Sequence, residues 1–204
     1  MKSNRELDIV VYGATGFTGR LVAEYLNNQY GVNGEVVWAM AGRSQSKLEQ
    51  VRDEMGISAD VPLVVADSSN LDSIKAMVER TAVVCTTVGP YQLYGNELVA
   101  TCASAGTDYV DLCGEPGWMH KMIGAHSAAA EASGARIVFS CGFDSVPFDL
   151  GVLFLQQTAE QNLGAAVPRV RGRVRAMKGT FSGGTLASFR TTMAAAAKDP
   201  DLIN

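Results

Sequence analysis

Several features are scarce in this sequence, and each scarcity argues against one class of protein. The 204 residues include two histidines and four cysteines, and no CxxC or metal-ligand spacing occurs, so no metal site is predicted. Basic residues are fewer than acidic ones, 17 against 21, which argues against nucleic acid as a partner. Neither a membrane helix of roughly 20 apolar residues nor a signal-peptide core is found. We therefore expect a cytoplasmic protein with reduced cysteines and no transmembrane segment.

The sequence does contain a regular alternation of short apolar runs with amphipathic stretches. The runs predict strands over residues 7–12, 35–41, 62–66, 82–86, 108–112 and 136–140. The stretches between them predict helices near 17–29, 45–55, 70–80, 95–105 and 117–133. Strand–helix alternation at this pitch predicts a Rossmann-type doubly wound parallel sheet of the α/β class, with helices on both faces. We assign residues 1–145 to such an NAD(P)-binding domain.

The pattern changes after residue 145. Residues 146–161 predict a further helix, and residues 169–178 alternate strictly, which is typical of a half-exposed strand. Its four arginines would share one face, as expected for a solvated outer face or for an edge guarded against aggregation. Contact with an anionic substrate is the alternative. These elements do not make a second core. We interpret residues 146–204 as a linker helix and the beginning of a truncated second α/β domain for substrate binding or dimerisation.

The most informative motif is Gly13-Ala-Thr-Gly-Phe-Thr-Gly19, directly after the first predicted strand and at the start of a helix. Glycines in this context are typical of a dinucleotide-binding turn. They allow the tight turn, the approach of a pyrophosphate to the backbone and close packing of the helix, whose free N–H groups would hold the phosphates. An ordinary glycine-rich turn is the alternative. The predicted cofactor contacts are Gly13, Thr15, Gly16, Phe17, Thr18 and Gly19.

The end of the second strand predicts the choice between NAD and NADP. NAD-specific sites place an acidic residue there, which binds the ribose 2′-hydroxyl. This chain instead reads Ala41-Gly-Arg-Ser44, with no carboxylate before Glu49. The guanidinium of Arg43 could hold a 2′-phosphate, and Ser44 could donate a hydrogen bond beside it. The pattern predicts NADP(H), with NAD as the second option and a surface role as the alternative for Arg43.

Two further loops are predicted to face the same ligand, because ligands of such sheets lie beyond the carboxyl ends of the strands. Asp67 follows the third strand and could accept a hydrogen bond from the adenine amino group. An aspartate that only leads into the next helix would look the same. Val88, Gly89 and Pro90 follow the fourth strand, and the glycine allows close approach to the nicotinamide half.

The sequence defines the catalytic residues less well than the cofactor site. No tyrosine has a lysine four residues later and no GxSxG occurs, which argues against a Tyr-Lys dehydrogenase and against a Ser-His-Asp hydrolase. Tyr91 follows the fourth strand and Asp144 follows the sixth, so both are predicted to line the cleft as proton donors. Helix capping or loop structure is the alternative for each. Four other polar residues share this placement: Tyr94, Asp111, Glu115 and Ser145.

Six sequence blocks occur in an order that resembles one known family. They are Gly13 to Gly19, Ala41 to Ser44, Gly89-Pro-Tyr91, Tyr109-Val-Asp-Leu-Cys-Gly-Glu115, Gly142-Phe-Asp-Ser-Val-Pro147 and Ser182-Gly-Gly-Thr185. Along almost its whole length the chain is similar to the saccharopine dehydrogenase-like oxidoreductases, which include trans-acting enoyl reductases. The resemblance implies a Rossmann domain followed by an α/β domain that completes the substrate cleft. Family members are longer, so most of that second domain is expected to be absent here.

The resemblance also implies a function. We expect an NADP(H)-dependent reductase that transfers hydride to a small-molecule or lipid-like enoyl substrate, with the chemistry carried by the cofactor. This chain alone is expected to bind cofactor, with or without turnover. A non-catalytic NADP-binding sensor or scaffold is the alternative, and a membrane-associated protein for apolar ligands is a third hypothesis. A homodimer and membrane association are both left open.

Overall fold

The computed structural model describes residues 5–32 and 34–197. A single parallel sheet has the strand order β3-β2-β1-β4-β5-β6, which confirms the Rossmann-type prediction. The order reverses between β1 and β4, and this topological switch point is where such sheets bind their ligands. The strands are β1 (Leu7–Tyr12), β2 (Trp38–Gly42), β3 (Leu63–Val65), β4 (Thr81–Thr86), β5 (Asp108–Val110) and β6 (Ile137–Val138).

Helices connect the strands and continue beyond the sheet. They are α1 (Phe17–Tyr30), α2 (Gln45–Glu54), α3 (Leu71–Arg80), α4 (Tyr91–Tyr94), α5 (Asn96–Ala105), α6 (Pro116–Ser133), α7 (Val146–Leu163) and α8 (Gly183–Ala196). The short helix α4 is absent from the sequence prediction, because four residues are too few for a helical period. The side chain of Asn70 caps α3 by accepting a hydrogen bond from the Ser73 N–H at 3.2 Å.

Two hydrophobic clusters lie on opposite faces of the sheet. Successive residues of β1 supply both clusters, since Val10 lies in one and Val11 in the other, as the period of two in a strand requires. Helices α1 and α2 pack on the Val11 side, and α3, α5 and α6 pack on the Val10 side. Because each residue of β1 meets a helix on its own face, the strand is apolar along nearly its whole length.

Two of the strand predictions differ clearly from the structure. Strand β2 begins at Trp38 rather than at residue 35. The Val37 N–H donates to the Asp8 carboxylate at 2.8 Å and so is not available for strand pairing. The predicted strand over residues 169–178 is wrong, since these residues form neither strand nor helix and nearly all are exposed. A strand needs a neighbour to pair with, and the described residues offer none there. Residues 198–204 of the predicted second domain lie outside the described residues.

Helix α7 packs differently from the helices that cover the sheet. Ala159 is its one buried residue among those described, although the helix is rich in large apolar side chains. Eight of these are exposed: Val146, Phe148, Leu150, Val152, Leu153, Phe154, Leu155 and Leu163. Exposed apolar side chains in this number are typical of an interaction surface rather than of a finished surface. The core of the Rossmann domain therefore ends before α7.

The buried carboxylate of Asp111 joins the loops after β5 and β6. Its Oδ1 accepts hydrogen bonds from the N–H groups of Cys113 at 2.9 Å and Ser140 at 2.8 Å. Its Oδ2 accepts the hydroxyl proton of Tyr109 at 2.7 Å. Burial raises the pKa of Asp111 above its usual range, although these hydrogen bonds favour the charged form. A buried acidic side chain therefore helps to hold the loops after β5 and β6 together.

We expect Asp111→Asn to fold, because an amide can accept both N–H bonds and donate to the Tyr109 oxygen. Asp111→Ala should cost about 3 kcal/mol, since two buried N–H groups lose their acceptor. The raised pKa means that the folded wild type binds a proton more tightly than the unfolded chain. Its stability relative to Asp111→Asn should therefore rise as pH falls toward the ordinary carboxyl pKa of 3.8. Urea unfolding of the variants at several pH values measures this, and a relative stability that falls with pH would contradict it.

Candidate active site

The glycine turn lies at the switch point and is packed against the neighbouring strand. Gly13 has φ +93°, and a Cβ on it would lie 2.7 Å from Thr87 Oγ1 and 2.8 Å from Val88 Cγ2. A Cβ on Gly19 would lie 2.1 Å from the Gly13 carbonyl oxygen. Only glycine fits at either position, because the first needs a left-handed backbone and the second needs close helix packing. The turn is therefore held close to both β1 and β4.

The start of α1 presents free N–H groups to the cleft. Gly16 is the N-cap residue and supplies no side-chain hydrogen bond, and the first turn contains no acidic residue. Among the described residues, the N–H groups of Phe17, Thr18 and Gly19 have no acceptor. Unpaired N–H groups and the positive end of the helix dipole together favour an anion at this place. This arrangement fits the pyrophosphate of a dinucleotide.

The side chains of the turn differ in exposure. Thr15 is half-buried, with its methyl group next to Gly42 at the end of β2. Thr18 is half-buried on α1. The ring of Phe17 is 72% exposed, so it has little packing of its own and is free to contact a ligand.

Arg43 and Ser44 lie where β2 meets α2, as the sequence places them. Arg43 is exposed, and its positive charge helps to lower the pKa of Asp67. The Ser44 hydroxyl caps α2 by accepting a hydrogen bond from the Lys47 N–H at 3.3 Å. It also lies 3.2 Å from the Ser46 hydroxyl. A 2′-phosphate placed here would meet one guanidinium and two hydroxyl groups.

Asp67 is engaged within its own loop. Its Oδ1 accepts hydrogen bonds from the N–H of Ser69 at 2.9 Å and from the Ser69 hydroxyl at 2.7 Å. These bonds hold the pKa of Asp67 below its usual range, and the charge of Arg43 acts in the same direction. The carboxylate therefore stays ionised and accepts hydrogen bonds at neutral pH. Both the adenine contact and the loop role allowed by the sequence fit this geometry.

The loop after β4 runs beside the glycine turn. The Val88 N–H donates to Thr86 Oγ1 at 3.2 Å. Pro90 is buried, and the peptide bond between Gly89 and Pro90 is cis. A Cβ on Gly89 would lie 3.4 Å from the Tyr91 ring and 3.6 Å from the Ser188 hydroxyl of α8. Helix α8 therefore reaches this loop, and the chain after residue 145 contributes to the cleft.

The two predicted catalytic residues lie in contrasting environments. Tyr91 is 5% exposed, and its ring packs on Trp118 with centroids 5.6 Å apart. Its hydroxyl donates to the Thr86 carbonyl at 3.4 Å and accepts from the Leu112 N–H at 3.4 Å. Burial raises the pKa of the Tyr91 hydroxyl far above its usual range. Asp144 lies in the turn before α7 and is exposed, so it is the accessible one of the two.

Glu115 has a position that the sequence does not reveal. It precedes Pro116 at the start of α6, which suggests a cap for that helix, but it makes no such hydrogen bond. The side chain is 2% exposed and instead accepts the N–H groups of Tyr91 at 2.9 Å and Gln92 at 3.0 Å. Glu115 therefore caps α4, which directly follows the loop after β4. Its only sequence signal is an acidic residue after a strand end.

The predicted cofactor residues thus gather at the carboxyl edge of the sheet, after β1, β2, β3 and β4. The loops after β5 and β6 continue the same rim. Within residues 5–32 and 34–197, no helix has the length and apolar character that crossing a membrane requires. The same residues contain no group of three or more His, Cys, Asp or Glu side chains that could hold a metal ion.

Comparison with known proteins shows the same relationship as the motifs. The family model for the saccharopine dehydrogenase NADP-binding domain matches residues 9–138. A relative from Mycobacterium tuberculosis is 48% identical over 198 residues, which is 97% of this chain and 46% of that protein. A trans-acting enoyl reductase from Mycobacterium leprae is 43% identical over 201 residues, 98% of this chain and 47% of the relative. The chain spans about half the length of these relatives.

Solved structures show the same fold at low sequence identity. Apo saccharopine dehydrogenase (L-Glu forming) from Saccharomyces cerevisiae matches with a TM-score of 0.52 and 14% identity, over 74% of this chain and 31% of that one. Triphenylmethane reductase from Citrobacter sp. matches with a TM-score of 0.50 and 17% identity, over 74% and 55%. None of these comparisons supports a non-catalytic sensor or scaffold. The chain belongs to the saccharopine dehydrogenase-like oxidoreductases, and residues 9–138 are their NADP-binding domain.

Proposed function

We propose that this chain holds NADP(H) at the carboxyl edge of its sheet and serves as the cofactor-binding half of an enoyl reductase. The observation that carries the proposal is the uncapped first turn of α1, whose N–H groups face the switch point without an acceptor among the described residues. Such a turn binds a pyrophosphate. The name of the relatives supports the enoyl class of substrate.

Each part of the rim has a separate role in this proposal. Residues 13–19 hold the pyrophosphate by N–H groups, and Arg43 and Ser44 hold the 2′-phosphate. Asp67 accepts a hydrogen bond from the adenine amino group. Val88, Gly89 and Pro90 face the nicotinamide half, where the absence of a side chain on Gly89 leaves room for close approach. When bound, the cofactor supplies the hydride.

Asp144 and Tyr91 are the proposed catalytic residues. Asp144 is exposed on the turn after β6, so it can reach a substrate directly and hold or deliver a proton there. Tyr91 could do so only if its hydroxyl left the Thr86 carbonyl and Leu112 N–H. This difference in access makes Asp144 the first candidate for proton transfer and gives Tyr91 a role in shaping the cleft wall.

We assign residues 1–145 to the NADP-binding domain and residues 146–204 to a linker helix and the beginning of a second domain. The exposed apolar side chains of α7 support this division, because the Rossmann core does not cover them. These side chains suit contact either with a second domain that binds a lipid-like substrate or with a second copy of the chain in a homodimer. The free thiols of all four cysteines support a cytoplasmic location, and apolar exposure of this kind is compatible with membrane association.

We expect Arg43→Ala to weaken NADPH binding about 30-fold, because a hydrogen bond to a charged group contributes about 1.5–3 kcal/mol. NADH lacks the 2′-phosphate, so its affinity should change less than about twofold. Titration followed by the fluorescence of the reduced nicotinamide measures both. Arg80→Ala is the matched control, because Arg80 pairs with Glu6 at the opposite edge of the sheet. Equal losses for the two nucleotides, or no loss of NADPH, would contradict this assignment.

Turnover tests the catalytic assignment, on the full natural polypeptide that carries this sequence. With a short enoyl thioester as acceptor, Asp144→Asn should lower kcat by about 100-fold, the usual contribution of a positioned proton donor. Tyr91→Phe should lower it by less than about tenfold, since its hydroxyl faces the interior. NADPH affinity should be unchanged in Asp144→Asn. A larger loss of kcat in Tyr91→Phe than in Asp144→Asn would reverse the two roles. Oxidation of NADPH by the wild type no faster than in the blank would contradict the proposed reductase activity.

A further inference from the structure

The buried carboxylate of Glu115 is bound by backbone donors alone among the described residues. Both of its oxygens accept hydrogen bonds from consecutive N–H groups, of Tyr91 and Gln92. A buried acid without hydrogen bonds is strongly unfavourable, and the first N–H groups of a helix have no partner of their own. Glu115 and the N–H groups of Tyr91 and Gln92 therefore satisfy each other's hydrogen-bonding capacity.

These hydrogen bonds lie at one end of the loop that faces the nicotinamide half. Helix α4 begins at the residue that follows Pro90. The position of its first turn therefore fixes where residues 88–90 end. The other end of the loop is held to β1, where the Thr87 N–H donates to the Tyr12 carbonyl at 2.9 Å. Gly89 lies between these two attachments and has no side chain to hold it.

The loop that carries Glu115 is itself firmly held. The Glu115 N–H donates to Cys113 Sγ at 3.3 Å, and the Cys113 N–H donates to the Asp111 carboxylate at 2.9 Å. Asp111 in turn binds the Ser140 N–H in the loop after β6. Glu115 thus connects the nicotinamide-facing loop to a part of the rim that is already joined across two strands.

We propose that Glu115 is a positioning residue, which holds residues 88–90 in the conformation that receives the nicotinamide half of the cofactor. This inference rests on the proposed binding of NADP(H) at the carboxyl edge. Loss of one oxygen acceptor would release one N–H of α4 and let the loop move. The adenosine half would be unaffected, because it is bound after β1, β2 and β3, away from Glu115.

Two ligands of different length test this role. NADPH reaches the loop after β4, whereas adenosine 2′,5′-bisphosphate contains only the adenosine half and its phosphates. Glu115→Gln should weaken NADPH about tenfold, since an amide has one acceptor oxygen for two N–H groups, and should leave adenosine 2′,5′-bisphosphate within about twofold. Glu115→Asp, which keeps the charge but is one methylene shorter, should show the same selective loss. Calorimetric titration on the whole chain measures all of these affinities.

Glu97→Gln is the matched control, because it makes the same change on an exposed residue of the adjacent α5. It should leave both affinities at their wild-type values. Equal loss of both ligands in the two Glu115 variants would mean that Glu115 supports only the fold and would overturn the inference. Unchanged NADPH binding would also overturn it. Failure of the wild type to bind either ligand would instead remove the proposed function itself.

Discussion

The cofactor site depends on the close packing of the first turn of α1 against the turn that follows β1. The Gly13 carbonyl oxygen lies so near to Gly19 that a Cβ there would be 2.1 Å away. This contact fixes the orientation of α1 relative to the switch point. It thereby also fixes the positions of the Phe17 and Thr18 N–H groups. A larger residue at position 19 would tilt the helix and move those N–H groups away from the phosphate position. The free N–H groups at the start of α1 are therefore a consequence of backbone packing rather than of charged side chains.

Acidic groups dominate the opposite half of the rim. Asp111 and Glu115 are both 2% exposed, and each accepts backbone N–H groups from outside its own loop. Asp111 accepts from Ser140 in the loop after β6, and Glu115 accepts from the first residues of α4. Such bonds are directional and hold the loops at fixed separations, which apolar packing alone does less well. The rim thus combines a helix start that can bind phosphate with loops whose positions are set by buried carboxylates. This division matches the needs of a dinucleotide. Its phosphates require recognition of charge, and its nicotinamide half requires a loop held at a fixed distance.

Much of the fold was predictable because it follows from periodicity. The apolar runs predicted all six strands of the sheet, and the glycine turn and Arg43 lie where strand ends place them. The role of Glu115 could not be predicted, since the sequence next to Pro116 suggests a cap for α6. Tertiary packing instead brings it to α4, 24 positions away in the chain. The burial of Tyr91 likewise depends on Trp118, which no local pattern connects to it. The prediction of a strand over residues 169–178 was wrong. Alternation of polar and apolar residues indicates which side chains would share a face, but it does not show that a neighbouring strand is there to pair with.

The most direct test of the account is to locate NADPH on the chain by amide chemical shifts. At 21.6 kDa, the protein is small enough for two-dimensional NMR of a labelled sample. We predict that NADPH shifts the amides of Phe17, Thr18 and Gly19 most strongly, and that it also shifts Gly89. The amides near Arg80 and Arg136, at the amino ends of the strands, should not move. Shifts confined to that opposite edge, or none at residues 17–19 under saturating NADPH, would contradict the central claim.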